Sequence, residues 1–257
     1  MFEENISEWL LIAQEAALAA GALFFKPDLE LATIDSEVGR DIKTRADRES
    51  ERIIINYLRE RSGFSILSEE SGVLEGKDKR FTWIVDPLDG SLNYIRGIPL
   101  CCISIALWEG ESPLLGVLYD FNRSELFTGI TGKGAWLNGT KIEVSSVSKK
   151  QSAVLCTGFP VSTDFSPEIL MTFVQYVRQY KKVRLLGTAA LSLAYVATGR
   201  AEVYMENDIK IWDVAAGIAL VKAAGGIVEF RSTAQGNTYN VKATNHVLAA
   251  CEVLKAL

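Results

Sequence analysis

Two aspartates at the end of an apolar run have the residue type and setting of a cation site. The run Phe81–Val85 has the composition of a buried strand, and Asp86 and Asp89 follow it with a proline between them. Gly90-Ser91 then begins a predicted short helix. Carboxylate oxygens bind hard divalent cations, and N–H groups at a helix start bind phosphate. The stretch therefore indicates phosphoryl chemistry, although Asp-Pro and Asp-Gly are equally typical of a plain turn.

Three further acids have comparable positions. Glu70 follows a predicted strand at 64–67, Asp213 begins a predicted helix, and Asp47 precedes another helix. Each alone has a structural explanation: solvated charge for Glu70, and a helix N-cap for Asp213 and for Asp47. If the strands before Glu70 and Asp86 are neighbours, they bring several carboxylates to one rim. Such a cluster repels itself strongly and is tolerable only with bound cations.

Composition narrows the class of protein. The chain has 257 residues, 48% of them apolar, which is ordinary for a globular protein with a large core. Its net charge of −5 gives no reason to expect a nucleic acid or an anionic membrane as partner. The single histidine, His246, argues against a His-based triad or a His-rich zinc site. Carboxylates must therefore carry any chemistry.

Cysteine usage and the N-terminus predict a cytoplasmic protein. The four cysteines, Cys101, Cys102, Cys156 and Cys251, form no C-x-x-C pair, so we expect free buried thiols. The stretch Met1–Glu4 lacks the basic region of a signal peptide. No apolar run has the length of a membrane span.

The pattern of elements predicts α and β structure throughout. An amphipathic helix spans 5–25, and a loop or an irregular ribbon follows at 28–43. A second helix is predicted between Asp47, which precedes it, and Gly63, which lies past its end. Antiparallel strands are predicted at 101–108, 114–119 and 125–130. After a polar patch at 145–152 come a strand at 153–156, helices from 166 and 187, a strand at 202–206, a helix from 212, and strands at 227–230 and 247–251. We expect two tightly packed domains, 1–146 and 147–257.

Five segments together resemble the inositol monophosphatase family. The motif 86–94, Asp-Pro-Leu-Asp-Gly-Ser-Leu-Asn-Tyr, is similar to the first family signature, and 212–217 with 223–226 to the second. The segments 68–71, 41–47 and 187–190 resemble its glutamate motif, its Asp/Thr/Asp segment and its substrate-side helix start. Their order is that of the family.

The resemblance implies a Mg²⁺-dependent, lithium-sensitive phosphomonoesterase. Its fold would be α+β, a layered α/β/α/β/α sandwich of the sugar-phosphatase type with mixed and antiparallel sheets, assembled as a homodimer. Two or three Mg²⁺ ions would be bound by Glu70, Asp86, the carbonyl of Leu88, Asp89 and Asp213. Asp47, Glu70 and Ser91 would orient or deprotonate the attacking water. The expected substrate contacts, some shared with the metal, are Asp89, Gly90, Ser91, Gly187, Thr188, Ala189, Glu206 and Asp213.

Three residues depart from the family pattern. Ser91 replaces the usual Thr; it keeps the hydroxyl but has a freer rotamer. Ser36 stands where many members have a Lys in a mobile loop, and Lys43 stands where an apolar residue is common. These changes put in doubt the closure of the loop and any weakly held metal that depends on it.

The substrate is predicted less sharply than the chemistry. Glu206, seven residues before Asp213, is an acid of the kind that inositol-cleaving relatives use to accept hydroxyl hydrogen bonds. We therefore expect a small phosphorylated polyol or sugar, with inositol monophosphate first. Fructose 1,6-bisphosphate, 3′-phosphoadenosine 5′-phosphate and histidinol phosphate remain alternatives, and a second phosphate would require Arg96, Arg184 or Lys210 nearby. A non-catalytic regulatory binding partner is the alternative from another class.

Overall fold

The computed structural model describes residues 2–25, 30–38, 41–159, 163, 165–234 and 236–249. Its helices are α1 Phe2–Gly21, α2 Arg45–Arg61, α3 Ser91–Ile95, α4 Pro167–Val177, α5 Ala189–Ala197 and α6 Ile211–Ala223, with 3-10 helices at Ala22–Phe25 and Lys150–Ser152. Its strands are β1 Ile34–Val38, β2 Asp41–Thr44, β3 Phe64–Ser68, β4 Gly72–Leu74, β5 Asp78–Asp89, β6 Cys102–Glu109, β7 Ser112–Asp120, β8 Glu125–Ile130, β9 Gly134–Leu137, β10 Thr140–Ile142, β11 Val154–Thr157, β12 Lys182–Arg184, β13 Val203–Lys210, β14 Ile227–Ser232 and β15 Thr238–Thr244.

The larger sheet has eight strands in the order β10-β9-β8-β7-β6-β5-β3-β4. Strands β6 to β8 pair antiparallel through short turns, as the sequence predicts, and β5 also pairs antiparallel with β6. The pair β3–β5 is parallel, with Ser68 beside Val85. The carboxyl ends of these two strands therefore meet at one rim, which is the arrangement that the acid pattern requires.

The smaller sheet has five strands in the order β12-β11-β13-β15-β14 and is mixed. Strand β11 pairs parallel with both β12 and β13, whereas β15 pairs antiparallel with β13 and β14. The β13–β15 register shifts between Glu206 and Ile209. A separate ribbon, β1 with β2, forms in the stretch predicted to be irregular.

Helices and sheets form five layers. Helices α1 and α2 cover one face of the larger sheet, and α5 and α6 lie between the two sheets, with α4 outside the smaller one. Close approach requires a glycine here, because a Cβ on Gly116 of β7 would lie 2.3 Å from the Ala216 carbonyl oxygen of α6. The predicted α+β layered α/β/α/β/α class is confirmed. The core between the sheets takes residues from both sides of residue 146, and the division into two domains stays a prediction.

By length and composition alone, one helix of the described residues, Asn5–Phe25, could cross a membrane. The prediction that no run reaches that length is wrong. In the fold, however, Ala13, Ala16, Ala17 and Ala20 of this helix are fully buried in the core beside α2. Its apolar face therefore packs within the protein.

Two predicted helix caps are wrong. The N-cap of α2 is Thr44, and Asp47 is the third residue of the helix, where the two close a reciprocal capping box. The N-cap of α6 is Lys210, so Asp213 lies in the first turn. Both carboxylates are within a helix start rather than before it, and neither is needed as an N-cap.

The predicted strand at 247–251 is also wrong where the structure describes it, since 246–249 is helical and residues 250 and 251 lie outside the described residues. The closing strand is instead β15, which sequence reasoning missed together with β9, β10 and β12. Cys101, Cys102 and Cys156 are free and buried, as predicted; Cys251 is outside the described residues.

Candidate active site

The end of β5 places Asp86 and Asp89 at the rim of the larger sheet. Asp86 is 1% exposed and Asp89 is 8% exposed. The pairing of β5 with β6 shifts register between them, and the Leu88 N–H donates to Asp86 Oδ1 at 2.9 Å. Gly90, with φ of 91°, then begins α3. The predicted transition from strand to carboxylates to helix is therefore present.

The alternation of β3 decides which glutamate faces these aspartates. Leu67 and Ile84 pack in the core that contains α6, whereas Ile66 and Val85 pack in the core that contains α1 and α2. Alternate residues of a strand face opposite sides of the sheet. The Glu69 N–H donates to the Val85 carbonyl oxygen at 3.2 Å, which extends the pairing by one residue and sets Glu69 beside Asp86.

Glu70 therefore faces the other side, toward β2 and α2. Its Oε1 lies 3.0 Å from Lys43 Nζ; burial raises its pKa, and the charges of Asp47 and Glu51 raise it further. The structure thus separates Glu70 from Asp86, although both follow adjacent strands. Sequence reasoning named Glu70 rather than Glu69, because the side of the sheet on which each lies depends on how far β3 pairs with β5.

Asp213 completes what we call the central acid cluster: Glu69, Asp86, Asp89 and Asp213. Its side chain lies within hydrogen-bonding reach of Asp86. Ser104 Oγ of β6 donates to the Trp212 carbonyl oxygen at 3.3 Å, which fixes the start of α6 against this rim. Among the described residues, no Lys or Arg is within ion-pairing distance of Asp86, Asp89 or Asp213.

Burial and mutual repulsion perturb the protonation of this cluster. Loss of hydration raises the pKa of Asp86 well above its ordinary value, and the charges of Glu69, Asp89 and Asp213 raise it further. The pKa of Asp213 is raised for the same reasons, by desolvation first and then by Asp89 and Glu69. Buried carboxylates that lie this close together would strongly attract a cation.

Asp89 accepts hydrogen bonds from the start of α5. Thr188 Oγ1 donates to Asp89 Oδ2, and the Ala190 N–H donates to the same atom at 2.8 Å. These donors belong to the N-terminus of α5, whose N-cap is Thr188. Desolvation raises the pKa of Asp89 to about 6, and the donors oppose the rise. Thr188 and Ala189 are predicted substrate contacts. In the structure, the Thr188 hydroxyl and the Ala189 N–H are donors to the Asp89 carboxylate.

Asp47, Glu51 and Glu70 form a second group, the peripheral acids. Ser91 Oγ lies 2.8 Å from Asp47 Oδ1 and 3.0 Å from the Leu88 carbonyl oxygen. The N–H of Thr44 donates to Asp47 Oδ2 at 2.7 Å. The predicted pairing of Asp47 with Ser91 is therefore present, and Ser91 connects it to Leu88, the predicted carbonyl ligand.

Glu206 lies on β13, 8% exposed. Desolvation raises its pKa to about 8, the charge of Asp89 adds to the rise, and the Tyr204 hydroxyl opposes it. Tyr204 is fully buried, and its hydroxyl has no acceptor in good hydrogen-bonding geometry among the described residues. Gly187, with φ of 70°, sits against the Asn93 side chain, whose Nδ2 donates to the Leu186 carbonyl oxygen at 2.8 Å.

The donor set fits a hard divalent cation. All its side-chain groups are carboxylates, which Mg²⁺ prefers, and in the described part of the chain Asp86, Asp89 and Asp213 have no basic partner. Within the described residues, no three acidic, histidine or cysteine side chains surround one point at metal-ligand spacing.

Comparison with known proteins assigns the family. The model of the inositol monophosphatase family matches residues 5–256.

The chain belongs to the inositol monophosphatase family.

Its relatives carry two kinds of name. An inositol-1-monophosphatase of Synechocystis is 41% identical over 230 residues, covering 87% of this chain and 79% of that protein. The Nus factor SuhB of Haemophilus influenzae is 37% identical over 253 residues, covering 96% and 93%. The solved inositol monophosphatase structure from Anabaena (Nostoc) sp. PCC 7120 has a TM-score of 0.81 at 34% identity, covering 98% of this chain and 97% of that one.

Proposed function

We propose that this member of the inositol monophosphatase family is a Mg²⁺-dependent phosphomonoesterase that hydrolyses inositol monophosphate. The observation that carries the proposal is the central acid cluster, in which Asp86, Asp89 and Asp213 have raised pKa values and no basic partner among the described residues. A cluster of this kind costs stability unless it binds cations.

We propose two or three Mg²⁺ ions, held by Asp86, the Leu88 carbonyl, Asp89 and Asp213. For the fifth ligand we propose Glu69 in place of Glu70, because Glu69 lies beside Asp86 whereas Glu70 is paired with Lys43. Bound Mg²⁺ would neutralise charge on the phosphoryl oxygens and make water more acidic.

The peripheral acids have the geometry to handle that water. Asp47 accepts from Thr44 and Ser91, which fixes its carboxylate at the helix start. A water that donates to Ser91 or Asp47 would be oriented for in-line attack, with Asp47 able to take its proton. Gly90 and Ser91 N–H groups, at the start of α3, are the proposed phosphate donors. Glu70 would contribute indirectly, by its ion pair with Lys43 at the edge of the site.

The alcohol side of the substrate is assigned to Glu206 with Gly187, Thr188 and Ala189. A buried carboxylate without a basic partner accepts hydroxyl hydrogen bonds, which suits a polyol. None of Arg96, Arg184 and Lys210 is paired with an acid of the central cluster; Lys210 Nζ instead lies 5.7 Å from the Trp212 ring centre. By resemblance to the family, we also propose a lithium-sensitive cytoplasmic homodimer with domains 1–146 and 147–257.

One assay tests the proposal. Phosphate release is measured with inositol 1-phosphate, fructose 1,6-bisphosphate, 3′-phosphoadenosine 5′-phosphate and histidinol phosphate, with Mg²⁺ and with EDTA. We expect the highest kcat/KM with inositol 1-phosphate, no activity in EDTA, and full recovery when Mg²⁺ is added. Activity that survives chelation would contradict the metal assignment, and a preference for another substrate would replace the substrate alone.

A further inference from the structure

A cavity of about 420 Å³ lies beside Glu206, between α4, β13 and residues 157–159 at the end of β11. This volume is within the range of small-molecule sites. Glu206 lines it and is also close enough to the central acid cluster for its charge to raise the pKa of Asp213. The cavity therefore adjoins the proposed alcohol side of the substrate.

The charge of the lining is one-sided. Within the described part of the chain, the lining includes two carboxylates, Glu206 and Asp208, and no Lys, Arg or His. Neither carboxylate is in an ion pair among the described residues, and the Tyr204 hydroxyl lies close to Glu206 without good alignment. Among the described residues of the lining, a second phosphate would find no basic partner. A neutral polyol could form hydrogen bonds with Glu206, but a second acidic residue would not attract it by charge.

A backbone irregularity accompanies the second acidic residue of the lining. The register of β13 against β15 shifts between Glu206 and Ile209, and Asp208 has φ of 56°, in the left-handed region. Its N–H donates to Asn240 Oδ1 at 3.0 Å, which holds this conformation. Bulges of this kind re-aim side chains next to active sites. The bulge adds Asn207 and Asp208 to the wall that Glu206 begins.

Two aromatic side chains in mutual contact also line the cavity. The ring centres of Phe159 and Phe173 lie 4.8 Å apart, and both residues line the cavity. Lys150 Nζ lies 5.6 Å from the ring centre of Tyr176 but is not part of the lining. Aromatic faces combined with carboxylates favour organic cations, because the ring quadrupole and the negative charges attract the same group.

We propose that this cavity binds an organic cation, a protonated or quaternary amine carried on the alcohol of the phosphomonoester, between the carboxylates of Glu206 and Asp208 and the rings of Phe159 and Phe173. The inference rests on the proposed phosphatase function. In the reaction, the oxygen of water bonds to phosphorus while the bond from phosphorus to the ester oxygen breaks. The amino alcohol leaves with a proton, and hydrogen phosphate is the other product.

A matched pair of substrates isolates the charge. Phosphocholine and 3,3-dimethylbutyl phosphate have nearly the same shape and differ in having a quaternary nitrogen or a carbon. We expect kcat/KM with Mg²⁺ to be about tenfold higher for phosphocholine. In Asp208→Asn this ratio should fall several-fold, and Asn suits the test because it also adopts the left-handed conformation. Phe173→Leu, which keeps apolar bulk without the ring, should lower the ratio too.

The control is Glu229→Gln, which removes the same charge from the exposed surface of β14 and should leave the ratio unchanged. Equal use of the two substrates by the wild-type protein, or a ratio unaffected by Asp208→Asn, overturns the cation site. If inositol 1-phosphate is still hydrolysed in that case, the proposed function stands.

Calorimetric titration with choline alone separates binding from turnover. We expect choline to bind the wild-type protein and to bind Asp208→Asn several-fold more weakly. If no phosphomonoester is hydrolysed with Mg²⁺, the proposed function fails together with the substrate role of the cavity. Choline binding that is absent or insensitive to Asp208→Asn overturns the cation site independently.

Discussion

The central acid cluster and the peripheral acids lie at the same rim, yet their surroundings differ. Burial raises the pKa of acids in both groups. Around Asp47 and Glu70, donors oppose the rise: Thr44 and Ser91 for the first, and Lys43 for the second. Around Asp86 and Asp213, the next contributions come from other acids and increase it.

The first kind of acid is stabilised by donors of the protein itself. The second kind lies mainly among other acids and would need a bound cation. A buried charge with good donors is a structural element or a positioned base, whereas buried charges facing one another require a cation. Asp89 belongs to both kinds, since α5 donates to one of its oxygens while Asp86 lies nearby. Proximity to the rim alone does not assign a metal ligand.

The largest expected effect comes from the central cluster. Asp213→Asn removes a proposed Mg²⁺ ligand. Activity with Mg²⁺ should therefore fall by more than about 100-fold, which exceeds the loss typical of residues that only support a ligand. The same substitution should raise the melting temperature in EDTA, because it relieves repulsion. Melting curves and phosphate release check both. A variant less stable than the wild-type protein in EDTA would contradict the repulsion that defines the cluster.

The two neighbouring glutamates give the sharpest test of the comparison. Glu69→Gln should lower kcat/KM by about 100-fold and raise the Mg²⁺ concentration needed for half-maximal activity. Glu70→Gln, its matched control, should lose less than about tenfold, because Glu70 is paired with Lys43. The measurement is activity against Mg²⁺ concentration for both variants. The reverse order of losses would restore Glu70 as the ligand.

Ser91 tests the role of the peripheral acids. Ser91→Ala leaves Asp47 with Thr44 as donor but removes the hydroxyl that lies between Asp47 and the Leu88 carbonyl. We expect kcat to fall by roughly 10- to 100-fold, with little change in the Mg²⁺ requirement. Ser91→Thr, which keeps the hydroxyl, should retain activity. A large shift in Mg²⁺ requirement for Ser91→Ala would place Ser91 among the metal-binding groups instead.

The smallest expected effect is on stability against pH. The folded-state pKa of Glu206 is raised to about 8, so the folded state holds a proton that the unfolded state has already released. Stability should therefore fall as pH rises from the ordinary glutamate value toward the folded one. Between about pH 6 and 7.5 in EDTA, Glu206→Gln should remove a slope of about 1.4 kcal/mol per pH unit. Urea unfolding at several pH values measures it; parallel slopes for variant and wild type would contradict the raised pKa.

Much of the fold could be predicted because strong periodicity and turn residues mark its elements. The N-terminal helix, the antiparallel run β6 to β8, and the helix starts at Thr188 and Pro167 follow from local chemistry. Strand β12 has only three residues, and β15 mixes polar and apolar positions, so their pairing comes from the tertiary context. The helical stretch at 246–249 was predicted as a strand because its apolar residues also fit an extended pattern.

In the site, the carboxylates at the end of β5 could be predicted from residue type and spacing, and the Asp47–Ser91 pair from the resemblance to the family. Choosing between Glu69 and Glu70 required the side of the sheet on which each lies, which depends on where β3 stops pairing. The pairing of Glu70 with Lys43 and the bulge at Asp208 depend on contacts between distant segments. No local pattern predicts them.

The hydrogen bond from Ala190 to Asp89 joins residues 101 positions apart in the chain. Asp213 reaches the same rim from still further along. Contacts of such long range form late, because loop closure must precede them. We therefore expect a refolding chain to recover its helical signal before its enzymatic activity, and a heated one to lose activity before it loses helix. Enzymatic activity would then be a more sensitive measure than helical signal of whether α5 and α6 have packed against the rim at the end of β5.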